Sequence, residues 1–197
     1  MTLYLIVIGI SLLIIFITNS ILSINGIISV SVIYCLIAAL FYFLLVVLVD
    51  AVCVLLVRYN PKDDMYNPDK KIYKTYKWEA KFYSKIKIIT WKDKIPELGV
   101  LAGFVKTKVE SDNPDYLYKF AKETVYAEIM HIISAIMGFI IMVIPPYNLM
   151  FNFAFPVAFV NCILNILPIL VQRYNRPRLL RMYYRELKRK KKGENHA

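Results

Sequence analysis

The positions of the basic residues constrain this chain more than any other feature. Of its 25 Lys and Arg residues, fifteen lie between Arg58 and Lys122 and ten lie between Arg173 and Lys192. Residues 1–57 and 123–172 therefore contain no Lys or Arg, and both stretches are predominantly apolar. About 20 consecutive apolar residues suffice for a transmembrane helix. With 58% hydrophobic residues over 197 positions, the composition excludes a soluble domain and indicates a membrane protein.

The N-terminal apolar stretch predicts two transmembrane helices. Residues 2–18 form the first, which reaches about 20 residues when it is extended to Leu22. It has no basic n-region and no small-residue cleavage pattern, so we expect a retained span and not a signal peptide. The second run, Ile27–Val57, has 31 residues and would be roughly 46 Å long as a helix, so it must tilt within a ~30 Å hydrocarbon core. The polar pairs Asn19-Ser20 and Asn25-Gly26 indicate a short turn between the two helices.

The C-terminal half predicts two more spans. Asp112-Asn113-Pro114-Asp115 is typical of a helix start, and this helix should run through Ile144 and stop at Pro145-Pro146. The last span covers about residues 148–171, and Pro168 should kink it.

These spans predict an all-α integral membrane protein with four transmembrane helices, located in the cell membrane. A basic amphipathic segment at the cytoplasmic interface connects the second and third spans. Because basic segments favour the cytoplasmic side, both termini are expected there. The chain is predicted to divide into four segments. These are two N-terminal spans (residues 1–57), the amphipathic segment (58–122), two C-terminal spans with the candidate site (123–172) and a basic tail (173–197).

Residues 58–122 combine basic and aromatic side chains in a helical pattern. Asn67-Pro68-Asp69 is a typical helix start, and apolar residues recur behind it at helical spacing, with lysines on the other face. We therefore predict an amphipathic helix on the membrane surface, with anionic lipids as its partner. Lys85–Trp91 is also compatible with a short strand, and Pro96 and Gly99 should interrupt regular structure.

Composition excludes several other classes of partner and site. The net charge of +11 comes without any motif that reads nucleic acid, so no nucleic-acid partner is expected. Cys35, Cys53 and Cys162 lie within apolar runs and predict buried small side chains, with neither a disulfide framework nor a metal site. No cofactor fingerprint is present, so no cofactor is expected.

The third predicted span carries the main candidates for chemistry. Glu128 and His131 are three residues apart and so share a helix face, where the carboxylate can orient the imidazole. Ionisable groups within spans are energetically costly and are therefore candidates for a function. The alternative interpretation is that this pair only joins two helices by hydrogen bonds. Glu123 precedes them on the same helix. Asp50, in the second span, either lines a cavity, pairs with another helix or is wetted near the interface.

Amides and arginines near the end of the last span extend the candidate set. The amides Asn161, Asn165 and Gln172 share one helix face and either bind a neighbouring helix or line the cavity of the Glu128/His131 pair. The arginines Arg173, Arg176 and Arg178 either hold phosphates of a donor or headgroup, or anchor the helix end to lipid. Together with an oriented histidine, this set favours group transfer between an amphiphile and a donor.

Several short motifs resemble a known family. They are Glu123-Thr124, Ala127-Glu128 with His131, Trp91-Lys92 with Pro96, and above all Val171-Gln-Arg-Tyr-Asn-Arg-Pro-Arg-Leu179. In these residues the chain resembles the glycosyl-4,4'-diaponeurosporenoate acyltransferases, which complete staphyloxanthin-type glycocarotenoids in carotenoid biosynthesis. The likeness covers roughly residues 69–192. It implies transfer of a fatty acyl group to a sugar hydroxyl of a glycosylated carotenoid or similar glycolipid, with acyl-CoA as one candidate donor.

For this reaction we expect three catalytic residues, His131 as the general base on the hydroxyl, Glu128 as its orienting carboxylate, and Glu123 either as a group that supports this pair or as a sugar-binding group. The residues expected to bind the substrate or donor are Gln172, Arg173, Asn175, Arg176, Arg178, Trp91 and Lys92. A hypothesis from another class stays open, a non-catalytic four-span protein whose basic surfaces bind anionic lipid or a partner enzyme. A transporter is disfavoured, because few ionisable groups lie within the spans and no internal repeat is visible.

Overall fold

Helices are the regular structure in all described parts of the chain. The computed structural model describes residues 2–59, 63–95, 109–110, 112–146 and 149–194. Its α-helices are α1 (Thr2–Ile24), α2 (Val32–Arg58), α3 (Lys77–Lys85), α4 (Ile88–Trp91), α5 (Pro114–Met137) and α6 (Phe155–Glu194). The chain divides into two compact units, a first unit of Met1–Tyr59 with Met130–Leu167 and a second unit of Asn60–Ile129 with Pro168–Ala197.

The prediction of an all-α protein is confirmed in the described residues, which also contain four helices with the length and composition of membrane spans. Four helical segments are long and apolar enough to cross a membrane, Tyr4–Ile24, Val32–Arg58, Pro114–Val143 and Met150–Lys192. Many of their large apolar side chains are exposed, Ile33 at 73% and Leu44 at 64% for example. Apolar surfaces of this extent suit lipid contact. The cytoplasmic orientation and the surface position of residues 58–122 stay predictions.

In the first unit, α1 and α2 form an antiparallel pair around small buried side chains. Cys35, Ala38 and Ala39 of α2 are at most 5% exposed and let the helices approach closely. The predicted turn at Asn25-Gly26 is confirmed, and Gly26 has the positive φ of 67° that favours glycine. The predicted break at Asn19-Ser20 is wrong. Asn19 is buried inside α1, where its Nδ2 donates to the carbonyl oxygens of Ile15 (2.8 Å) and Asn152 (2.9 Å).

In the second unit, the prediction that an α-helix begins at Pro68 is wrong. The Oδ1 of Asn67 accepts the backbone N–H of Asp69 at 2.9 Å, which makes a local turn, and a short 3₁₀ helix follows at Lys71–Tyr73. The α-helix begins only at Lys77, where Glu79 accepts the backbone N–H of Tyr76 at 3.0 Å and caps the first turn.

Residues 85–91 comprise the end of α3, a turn and α4, so the strand alternative does not hold. A turn at Lys87, whose φ is 49°, separates α3 from α4. The predicted breaks at Pro96 and Gly99 lie outside the described residues.

Helices α5 and α6 contribute to both units. The predicted start of α5 is confirmed, because Asn113 Oδ1 accepts the backbone N–H of Tyr116 at 3.2 Å and Pro114 is the first helical residue. The helix continues as a 3₁₀ segment, Gly138–Val143, and ends before Pro145. A π-helical turn, Met150–Ala154, leads into α6, which contains Pro168 and Pro177 and continues past the predicted boundary near Val171. The expected beginning at position 148 lies outside the described residues.

Candidate functional site

His131 of α5 is hydrogen-bonded to α6 within the first unit. Its ring Nδ1 lies 2.7 Å from Oδ1 of Asn165. The histidine is half-buried and Asn165 is buried, at 6% exposure. The imidazole is therefore held by a side chain that is itself fixed in the interior.

The contacts of the Asn165 amide set its orientation and, through it, the histidine tautomer. Its Nδ2 donates to two oxygens of Asn161, the carbonyl at 3.0 Å and Oδ1 at 3.1 Å. With the amino group directed at these acceptors, Oδ1 faces the histidine as an acceptor. Nδ1 of His131 must then carry the hydrogen, which leaves the lone pair on Nε2. Among the described residues of this unit, none hydrogen-bonds Nε2.

Asp50 of α2 extends the same network. Its Oδ1 accepts from Nδ2 of Asn161 at 3.2 Å, and its Oδ2 makes a longer contact of 3.5 Å with Nδ2 of Asn165. Two of the alternatives for Asp50 hold together, since it pairs with amides of a neighbouring helix and also lines a cavity. Residues 1–57 and 130–167 contain no Lys or Arg, and the partners of this carboxylate there are neutral groups, the two amides and the hydroxyl of Ser134.

A close helix contact supports this network. A Cβ built on Gly138 would lie 2.6 Å from Nδ2 of Asn161, which is too close for any other residue without displacement of the amide. Glycine at position 138 therefore leaves the space that Asn161 occupies beside Asp50.

The network lines a cavity of about 220 Å³ in the first unit. Its polar wall consists of Asp50, His131, Asn161 and Asn165, with Tyr4 and Ser11 nearby. The remaining lining side chains are apolar, namely Ile8, Leu12, Ile15, Phe43, Val46, Val47, Val157, Val160 and Leu164. An apolar cavity with a few convergent polar groups is the usual form of a ligand site.

A second polar cluster lies in the second unit, where two carboxylates meet two guanidinium groups. Arg173 binds Glu128 at 2.7 Å through Nη1 and Glu79 at 2.8 Å through Nη2, and Arg176 binds the other oxygen of Glu128. Arg176 is 1% exposed, and its Nε also donates to Oγ1 of Thr124 at 2.8 Å. We call Glu79, Glu128, Arg173 and Arg176 the ion cluster.

Glu79 is ionised within this cluster. Burial raises the pKa of its carboxyl, but hydrogen bonds from Arg173, from the backbone N–H of Tyr76 and from the hydroxyl of Tyr83 lower the pKa to about 2. Burial and the adjacent Glu79 carboxylate together raise the pKa of the Tyr83 hydroxyl, so Tyr83 remains a neutral donor at 2.8 Å.

The comparison with known proteins identifies the family. The family model for glycosyl-4,4'-diaponeurosporenoate acyltransferase matches residues 69–185, which is more than half of the 197-residue chain. The chain belongs to this acyltransferase family. No curated protein and no solved structure matches it. The matched region of the acyltransferase family includes the ion cluster, His131 and Asn165, whereas Asp50 precedes it.

The predicted catalytic residues His131 and Glu128 contact different side chains in the structure. His131 has Asn165 as its hydrogen-bond partner, and Glu128 has Arg173 and Arg176. Glu123 is half-buried on α5. The predicted orientation of His131 by Glu128 stays a prediction, as do the catalytic roles.

Three predicted donor-binding residues come together in the second unit of this acyltransferase family member. Lys92, Asn175 and Arg178 line a cavity of about 160 Å³. Gln172 is buried, and Trp91 donates through Nε1 to the carbonyl oxygen of Ile86 at 2.9 Å.

The sequence predictions omitted Glu79 and named no specific partner for Asp50. Glu79 was not selected, although it lies three residues after Tyr76, whose backbone N–H it accepts, at the spacing of a helix N-terminal cap. Asp50 was a candidate without a partner. The helical stripe of Asn161 and Asn165 was the signal for that partner, since buried carboxylates and amides in spans bind one another.

Proposed function

We propose that the protein is a membrane acyltransferase that moves a fatty acyl group to a sugar hydroxyl of a glycosylated carotenoid or similar glycolipid. Membership of the acyltransferase family supports the reaction class. The observation that carries the assignment of the site is His131, whose Nδ1 is held by Asn165 and whose Nε2 has no hydrogen-bond partner among the described residues of its unit.

In the proposed mechanism, Nε2 of His131 accepts the proton of the sugar hydroxyl as its oxygen attacks the acyl carbonyl carbon. The new C–O bond gives a tetrahedral intermediate, and its collapse breaks the bond between the acyl carbon and the sulfur or oxygen of the carrier. The imidazolium returns the proton to that leaving atom, so the histidine ends neutral. Asn165 keeps the ring in one tautomer, and the charge of Asp50 stabilises the imidazolium through the amide network.

We assign the acceptor's sugar to the 220 Å³ cavity of the first unit. This volume is below the roughly 300–1,000 Å³ of pockets that enclose a whole drug-sized ligand. It suits one end of a long molecule, and the polar wall around His131 suits the sugar end. The apolar lining suits the adjoining part of the lipid.

The other residues with predicted roles lie in the second unit. We propose that Glu128 holds Arg173 and Arg176 in position, and that Lys92, Asn175 and Arg178 contact polar parts of the donor. Glu123 and Gln172 are proposed as further polar contacts of the substrates. Multi-pass insertion in the cell membrane with cytoplasmic termini would place the basic residues beside anionic lipids.

Membranes that contain the protein should transfer label from a labelled fatty acyl-CoA to a supplied glycosylated carotenoid. His131→Gln should lower this rate by about 10²- to 10⁴-fold, the usual contribution of a general base. The glutamine can still bind Asn165 but cannot take the proton. His196→Gln makes the same chemical change at the chain's other histidine and should leave the rate unchanged.

Equal rates for wild type and His131→Gln at matched membrane levels would remove His131 from the chemistry. If label reaches the glycolipid with neither, and lipid extracts with and without the protein are identical, the transferase proposal fails. The non-catalytic hypothesis would then be tested by neutralising the basic stretch at residues 188–192.

A further inference from the structure

A cavity that combines apolar and cationic walls lies in the second unit, where its lining includes Arg173 of the ion cluster. Its volume is about 650 Å³, and α3, α4 and α6 contribute to its lining. This volume falls within the roughly 300–1,000 Å³ of typical ligand pockets. The cavity is therefore large enough to enclose much of a ligand.

The lining combines apolar surface with cationic groups. Ala80, Ile88, Ile89 and Pro177 supply apolar contacts, whereas Lys87, Arg173 and Arg181 are basic. No acidic residue is among the lining residues. The cavity is thus suited to an amphiphile with an apolar part and negative charge.

Lys87 and Arg181 differ from Arg173 in whether they have a carboxylate partner. Arg173 is bound to Glu79 and Glu128. Lys87 and Arg181 are exposed, and neither forms an ion pair with a described residue. These two side chains are therefore available to pair with an anionic ligand.

The backbone at Lys87 gives a second, independent observation. Its φ of 49° lies in the left-handed region, where a non-glycine residue is uncommon and costs free energy. The carbonyl oxygen of Lys87 accepts from both the backbone N–H and the hydroxyl of Thr90, at 2.9 Å and 2.8 Å, which fixes the turn. Glycine would occupy this position at lower cost, so a lysine here indicates a use for its side chain.

We propose that this cavity binds the acyl donor, a fatty acyl thioester on a carrier that bears phosphates, as acyl-CoA does. The inference rests on the proposed transferase function. The acyl end packs against Ile88, Ile89 and Pro177, and the carrier phosphates pair with Lys87 and Arg181. The hydroxyls of Thr75, Ser84 and Thr90, which also line the cavity, suit the polar groups of such a carrier.

Binding of a non-hydrolysable thioether analogue of a fatty acyl-CoA to the full chain in lipid nanodiscs tests this site without any turnover. Lys87→Gly and Arg181→Ala should each raise the Kd on the order of five- to tenfold, since each removes a charge-assisted contact. Lys87→Gly avoids backbone strain at the turn, and Lys87→Arg should restore binding. Lys81→Ala removes an exposed lysine of α3 that does not line the cavity and should leave the Kd unchanged.

Steady-state kinetics separate this proposal from the transferase function. In an active enzyme, the two variants should raise the KM for the acyl donor and leave kcat and the acceptor KM unchanged. Unchanged thioether binding and donor KM in both variants would overturn the cavity assignment while the transferase function stands. A Kd raised as much by Lys81→Ala as by Lys87→Gly would also overturn it, because binding would then depend on basic surface residues in general. An inactive wild type would instead contradict the proposed function, and the binding measurement would still report on the cavity.

Discussion

The two polar clusters of this molecule are built on opposite principles. In the ion cluster of the second unit, two carboxylates face two guanidinium groups, and each charge has an opposite charge within 3 Å. In the first unit, one carboxylate, Asp50, is bound by amides, and His131 keeps one ring nitrogen without a partner among the described residues there. The first arrangement is electrostatically complete, whereas the second keeps the capacity to bind a proton.

This difference separates stability from chemistry. Paired buried ions mainly prevent the cost of an uncompensated charge, so removal of one partner is expected to weaken the fold. A carboxylate in an apolar span without a cation is costly to keep, and such groups usually serve a function. Changes in the two clusters should therefore affect different measurements.

The largest effect should follow from Glu128→Gln. This change leaves Arg176, which is 1% exposed, without its carboxylate and should lower the free energy of unfolding by about 3–5 kcal/mol. Thermal unfolding in detergent measures the loss. Asp64→Asn is the matched control, because its ion pair with Lys70 is exposed and should contribute no more than about 1 kcal/mol. If Glu128→Gln is as stable as Asp64→Asn but inactive, the predicted catalytic role of Glu128 would be supported instead.

The next effect should be on turnover. Asp50→Asn removes the charge behind Asn165 but keeps the size of the side chain, and should lower kcat by about 10- to 100-fold with little change in either KM. Asn152→Ala is the control, since it removes a half-buried amide of the first unit, the partner of Asn19 at 3.0 Å. It should cost about 1–3 kcal/mol of stability and leave kcat unchanged. Equal kcat for Asp50→Asn and wild type would make Asp50 a structural residue.

The sequence predicted the fold well where the physical signal is local. Apolar run length gave four spans, and Asn113 with Pro114 gave the start of α5, because span length and capping depend on neighbouring residues alone. Local signals gave wrong predictions at two places. A helix start was predicted at Asn67-Pro68, but the Asn67 side chain stabilises a turn there. A break was predicted at Asn19, but its amide donates to the carbonyl oxygen of Asn152 and stays inside a helix. Those outcomes depend on residues distant in sequence.

The candidate site was predictable as a set of residue types and less so as a set of contacts. His131 and Asn165 were selected from spacing and from the cost of polar groups in spans. Spacing alone joined Glu128 to His131, since residues three apart share a helix face. The partners that the structure gives Glu128, Arg173 and Arg176, are 45 and 48 positions away. No local pattern specifies pairs at that separation.

A smaller effect should follow from crowding the contact between Gly138 and Asn161. In Gly138→Ala the new methyl group would lie 2.6 Å from Nδ2 of Asn161, and the displaced amide should weaken its contact with Asp50. We expect a loss of about 1 kcal/mol, at the low end for overpacking, and a decrease in kcat of a fewfold. Gly9→Ala is the control, since no atom lies within 4 Å of its added Cβ, and it should be neutral or slightly stabilising. Equal behaviour of the two variants would show that Asn161 moves without affecting the site.

The smallest effect should appear as a pH dependence of the ion cluster. The pKa of Glu79 falls from its usual value near 4.5 to about 2 in the folded protein, because the Arg173, Tyr76 and Tyr83 hydrogen bonds outweigh burial. A lowered pKa stabilises the fold above the unfolded value, and this contribution is lost as the pH falls from about 4.5 towards 2. Between pH 7 and pH 4 the loss should be about 1 kcal/mol, measured by thermal unfolding at each pH. Glu79→Gln should remove this part of the dependence and Asp64→Asn should not. If Glu79→Gln and wild type lose stability in parallel over this range, the acid sensitivity lies in other carboxylates, and the cluster's pairing does not depend on the charge of Glu79.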